Sequence, residues 1–169
     1  VTYFTLFAAL GTASYGQREI AMHRNDSKAS SKLFWEIEFL SITTTAVSLI
    51  IWLIWICVST QYTAVYGVLT LSVLAVAFDI SWYFGGFEKF KYIGNTVVKI
   101  TGIALLFLFV KKETDILLYV CIMAATGLIG NISMWTYLPK LLSKVDFKTL
   151  HPFKVHLKQT FLYFIPTIA

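Results

Sequence analysis

Polar and hydrophobic positions fall in long blocks along this chain rather than alternating residue by residue. Between Glu38 and Asp79 lie forty residues without a charge, and beyond Lys91 a second apolar run carries only Lys99. As one helix, 39–78 would be about 60 Å long, twice the roughly 30 Å of bilayer hydrocarbon, so it must fold back once. The polar break near its middle is Ser59-Thr60-Gln61, and the turn is expected there. The pattern predicts spans over 1–17, 39–58, 62–86, 92–110 and 116–138, with a sixth starting at 159–169. Runs of this length favour helices over the short alternating strands of a barrel. The fold class is therefore all-α: a polytopic membrane helix bundle of five complete spans plus the start of a sixth.

The connecting segments carry the punctuation. A polar loop is expected over 18–32, with Ser31 or an earlier serine capping the next helix. Gly85-Gly86 is expected to end the third span through the left-handed conformation open to glycine. Pro139 ends the fifth span, and a basic loop follows over 140–158. The chain opens at Val1 inside one apolar run and closes inside another, so a piece of a longer protein is expected, with further spans at both ends.

Composition agrees: 57% of the residues are hydrophobic and 14% charged, more apolar surface than one soluble core of this size buries. Charge adds direction. The segments 18–32, 88–91 and 140–158 carry four, two and five Lys or Arg, whereas the turns at 59–61 and 111–115 carry none and two. Such a bias places the first three in the cytoplasm. It also accounts for the net charge of +5 through loops facing anionic headgroups, with no nucleic-acid partner invoked.

Candidate chemistry is sparse. Cys57 and Cys121 sit near the outer turns, where a bridge is conceivable, but a lone cysteine in an apolar helix is ordinarily a small hydrophobe. The three histidines are expected in cytoplasmic loops at spacings that suit no metal. No nucleophile with its base and no phosphate-cradling glycine loop is recognisable, so enzymatic chemistry is not expected, and no cofactor. What remains is polarity inside the membrane. A lysine at helix centre costs roughly 2.5–3.5 kcal/mol on insertion scales, so Lys99 should face protein or a watery cavity. Asn95, Lys99 and Gly102 share one helical face. Asp79, about 9 Å along its helix from Gly85, and Lys99, about 12 Å from Lys91 on the antiparallel neighbour, reach similar depths, which allows an ion pair or shared proton path. The plainer reading has Lys99 snorkelling to the headgroups and Asp79 capping nearby backbone. Gly127, Gly130 and Asn131 read as a close-packing face, and Trp52, Trp55, Trp82 and Trp135 as an interfacial belt.

GTASYGQREIA from Gly11, FWEIEFLSITTT from Phe34, DISWYFGGFEKFK from Asp79, VVKI from Val97, the KKETD turn and HLKQTFLYFIPTIA from His156, in that order and spacing, resemble the polysaccharide-transporter family. These are the oligosaccharide flippases of bacterial O-antigen and capsule assembly, in a superfamily that also holds multidrug exporters and the lipid II flippase. The resemblance implies two helix bundles, with 1–158 forming most of the amino-terminal one and 159–169 starting the first helix of the second. It implies a flippase that carries an undecaprenyl-diphosphate-linked oligosaccharide across the bacterial inner membrane, among membrane lipids and beside a polysaccharide polymerase and chain-length regulator. Arg18 and Lys99 would attract the diphosphate, Asn95, Trp82 and Tyr83 would contact sugar, Asp79 would trim charge or carry a coupling proton, and Pro166 would bend a moving helix. A cation-coupled drug exporter would need cavity acids, and one acid beside one lysine suits an anionic cargo better. A membrane-embedded polymerase or transferase would need a loop rich in acid, His or Arg, which the visible loops lack.

Overall fold

A computed structural model describes residues 1–59, 61–89 and 96–168. The described residues form α-helices joined by short 3-10 segments, and three stretches, 27–58, 63–86 and 113–140, are long and apolar enough to cross a membrane. Outward side chains of the helices, among them Ile50, Ile54, Phe107, Ile116 and Leu162, are exposed hydrophobics. An apolar exterior of this kind belongs in lipid, and the chain is a multi-pass membrane protein.

The first span is not one helix. α1 (Thr2–Ala9) ends in two left-handed residues, Leu10 (φ 40°) and Gly11 (φ 72°), before α2 (Thr12–His23) begins. The expected loop at 18–32 shrinks to a three-residue turn, because α2 runs on to His23 and α3 (Ser27–Val58, 32 residues) starts twelve residues before Phe39. Asp26, not Ser31, caps α3: its carboxylate accepts from Lys28 N at 2.9 Å and Ala29 N at 3.0 Å. The Ala29 and Lys28 amides hold that carboxyl below its usual range.

α4 (Thr63–Leu74) tightens into a 3-10 turn, Ala75–Phe78, and then breaks at Asp79-Ile80 before α5 (Ser81–Gly86). The predicted continuous span over 62–86 is thus two helices, and Asp79 sits in the break, not on a helix. Gly85 and Gly86 are not left-handed; Glu88 takes that conformation (φ 57°). The glycines serve close packing. A Cβ on Gly86 would lie 2.6 Å from Ile20 Cβ, and one on Gly16 would lie 2.5 Å from the Trp82 ring, so α2 and α5 meet nearly backbone to ring.

α6 (Thr96–Phe109) leads to a turn in which Asp115 accepts from Lys111 N and Lys112 N, both at 2.9 Å, and on to α7 (Ile116–Met134). Of the turn at 59–61, Thr60 lies outside the described residues, as does 92–95 of the expected fourth span. After a 3-10 stretch through Pro139 and a short connection, α8 (Pro152–Ile168) begins seven residues earlier than the predicted 159 and takes in His156. Ser27 meets Ser143 Oγ at 2.6 Å, and Arg24 pairs with Glu88 at 3.1 Å, so the three basic segments gather on one side of the bundle.

Two of the four tryptophans assigned to an interfacial belt are buried in the bundle instead. Trp52 is 1% exposed and donates to Thr70 Oγ1 at 3.0 Å, and Trp82 is 3% exposed, stacked on Phe34 at 5.7 Å. Cys57 and Cys121 are free.

Candidate functional site

The helix break is built by α7. A 3-10 turn followed by extended backbone frees carbonyls that an uninterrupted helix would use. Asn131 Nδ2 donates to Ala75 O at 2.7 Å, and Trp135 Nε1 donates to Phe78 O at 3.0 Å, satisfying two of them. Asp79 Oδ1 accepts from Ser81 N at 3.0 Å, which starts α5 and turns the acid toward α6 and α7. Asn131→Leu, similar in volume but without the donor, is expected to lower stability by about 1–3 kcal/mol, the cost of stranding a carbonyl away from water. Chemical unfolding in detergent checks this, and an unchanged midpoint would show that the break stands without Asn131.

Between this break, α6 and α7 lies a cavity of about 490 Å³. Its polar lining is Asp79, Ser81, Lys99, Thr126 and Asn131, and its apolar lining includes Ile103, Leu106 and Met123. The depth match between Asp79 and Lys99 is thereby realised as a shared chamber. No ion pair joins the two among the described residues. The capping role foreseen as the plainer reading of Asp79 is also present, since one carboxylate oxygen accepts from Ser81 N.

The glycines of α7 overturn their packing role. A Cβ at Gly127 or Gly130 would meet nothing within 4 Å, whereas one at Gly102 on α6 would touch Thr126 at 2.7 Å. Gly102 brings α6 and α7 together, and Gly127 and Gly130 leave room between them and the break.

The other predicted site residues lie elsewhere. Trp82 and Tyr83 are buried in an aromatic cluster with Phe34, and the Tyr83 hydroxyl lies beside Ser30. Arg18 is exposed on α2 and donates to Tyr163 OH at 2.5 Å. Pro166 stands on an exposed part of α8, which runs on to Ile168. Asn95 lies outside the described residues.

Two features escaped the sequence reading. Ser81, Gly127, Gly130 and Asn131 belong to the cavity, and the i, i+3, i+4 spacing of the last three was the visible signal, assigned to the wrong cause. Glu38, used only as the edge of an apolar run, is 1% exposed; neither carboxyl oxygen has a partner, and it lies within electrostatic reach of Asp79. With Ser41, Thr45 and Ser48 it forms a buried polar stripe along α3, spaced to share one helical face.

A family model described as "Polysaccharide biosynthesis protein" matches residues 1–169. No curated protein sequence and no solved structure matches the chain.

Proposed function

From the premise that this chain belongs to the polysaccharide biosynthesis protein family over residues 1–169, we propose that it forms part of a flippase for a lipid-linked oligosaccharide in the bacterial inner membrane. The observation that carries this reading is the cavity lined by both Asp79 and Lys99, with no ion pair between them among the described residues, beside the open faces of Gly127 and Gly130. Moving a sugar headgroup through hydrocarbon is opposed by the loss of its hydration, and a polar chamber at membrane depth removes much of that cost. Lys99 is the group that attracts the undecaprenyl diphosphate, through charge-assisted hydrogen bonds. Asp79, Ser81 and Asn131 supply acceptors and donors of the kind that sugar hydroxyls use. The basic segments near 24, 88 and 143 face the cytoplasm by their charge, which has the cargo enter from that side. A drug exporter would use Asp79 against an organic cation, and Lys99 in the same chamber opposes that.

The test uses the full-length protein in a strain whose surface polysaccharide depends on it. Lys99→Ala is expected to lower surface polysaccharide at least tenfold at unchanged protein level, and Lys99→Arg to retain part of it. In the double variant Lys99→Ala with Asp79→Asn, both charges are gone and neither is left stranded. Recovery of export in that variant would mean a structural role for the two charges and would end the cargo reading.

A further inference from the structure

A second group of titratable side chains lies away from the cavity, where α8 docks on α2 and α3. His156, 1% exposed, is held on both ring nitrogens: Nδ1 is 2.8 Å from the Tyr15 hydroxyl of α2, and Nε2 is 2.9 Å from Glu36 Oε2 of α3. Glu36, 4% exposed, also accepts from the His151 backbone N–H at 2.9 Å through Oε1, holding the start of α8. Lys32 Nζ stands 3.9 Å from that same oxygen, with its side chain 44% exposed, so the inner chain ends at a residue that reaches water. The other titratable groups around it are Arg18 and Glu19 on α2 and Tyr163 on α8.

The donors and acceptors permit two arrangements that differ by one proton. An ionised Glu36 only accepts, so Nε2 carries hydrogen in both. With a neutral ring, bare Nδ1 accepts from the Tyr15 hydroxyl, and every partner is satisfied. With a charged ring, Nδ1 donates instead, the Tyr15 oxygen becomes the acceptor, and the Tyr15 hydrogen loses its buried partner. At the same time the bond to Glu36, in which only the carboxylate was charged, becomes an imidazolium–carboxylate pair, which is stronger. Uptake of one proton therefore strengthens the hold on α3 and, on the α2 side, strands the buried Tyr15 hydrogen, which favours movement of α8 away from Tyr15.

We propose that Tyr15, His156 and Glu36 form a proton-operated latch that sets how α8 sits against α2 and α3. The helix it holds is the one whose backbone passes the α1–α2 break: a Cβ on Gly11 would lie 2.6 Å from Thr160 O and 2.8 Å from Phe164 N. Any shift of α8 is thus transmitted to the Leu10–Gly11 junction. The latch is independent of what the cavity carries.

The test measures distances in the full-length protein in lipid nanodiscs, with Cys57 and Cys121 replaced by serine. Spin labels are placed at the exposed Phe153 on α8 and, in separate samples, at Met22 on α2 or Lys28 on α3. Between about pH 8 and pH 5, the range in which histidine changes charge, the α8–α2 distance is expected to lengthen in one titration step, with no lengthening of α8–α3. His156→Gln, which keeps hydrogen-bonding capacity without the charge, is expected to abolish the step. Tyr15→Phe, which keeps the ring and removes the hydroxyl, is expected to show the low-pH distance throughout. Distances independent of pH in the unmodified protein, or a step of full size in either variant, would overturn the latch.

Discussion

Gly130→Phe in the full-length protein should reach the membrane at normal level yet lose at least tenfold in surface polysaccharide. A Cβ at this position would meet no atom within 4 Å and Gly130 lines the cavity, so the aromatic ring is expected to project into it. Local stability should not suffer, because glycine inside a helix is itself unfavourable by about 0.5–1 kcal/mol relative to alanine. The ring takes the space between Lys99, Asp79 and Asn131 that the cargo would need. Gly130→Ala adds one methyl and is expected to leave export nearly normal. Quantifying surface polysaccharide and membrane protein together decides the matter: full export by the phenylalanine variant would mean that cargo does not pass through this chamber.

Gly11→Ala is expected to act on folding. Two costs coincide there. At φ 72° a side chain is disfavoured by roughly 1–2 kcal/mol, and the new Cβ would be forced against backbone atoms of α8 at 2.6 and 2.8 Å, an overpacking worth about 1–3 kcal/mol. Backbone cannot rotate away as a side chain would, so α8 must move. The expected result is destabilisation by roughly 2–5 kcal/mol, seen as a lower melting temperature in detergent and less protein in the membrane. Gly67→Ala is the control, since its Cβ meets nothing within 4 Å in the middle of α4, and it should match or slightly exceed the unmodified protein. Equal melting of the two variants would show that α8 is not seated on Gly11.

Much of the architecture was legible before any coordinate. Forty uncharged residues must lie in lipid and must fold back, because a helix has a fixed rise and a bilayer a fixed thickness. The charged turn at 111–115 and the start of α7 at Ile116 follow from the same contrast. Asp79 and Lys99 were recognisable because ionised groups in an apolar run require a polar surrounding, and both line the cavity. The breaks were less legible. Nothing between Tyr62 and Phe78 is charged, and an apolar run reads the same whether its helix is continuous or interrupted.

By itself, then, the sequence determined the helical class, the membrane setting, the sidedness of charge and two members of the candidate site, all of which depend on local composition and length. Tertiary structure alone decided which residues share a space. The interruption at Asp79 is held by donors from Asn131 and Trp135, more than fifty residues away. Gly127 and Gly130 have the spacing of a packing face and become a cavity wall because Gly102, not they, takes the contact with the neighbouring helix. His156 lies in a stretch polar enough to pass for a loop, yet it is buried because Glu36 and Tyr15, 120 and 141 residues away, satisfy both its nitrogens. A hydrogen bond across the fold leaves no trace in local pattern, since its partners are chosen by packing and not by neighbourhood in the chain.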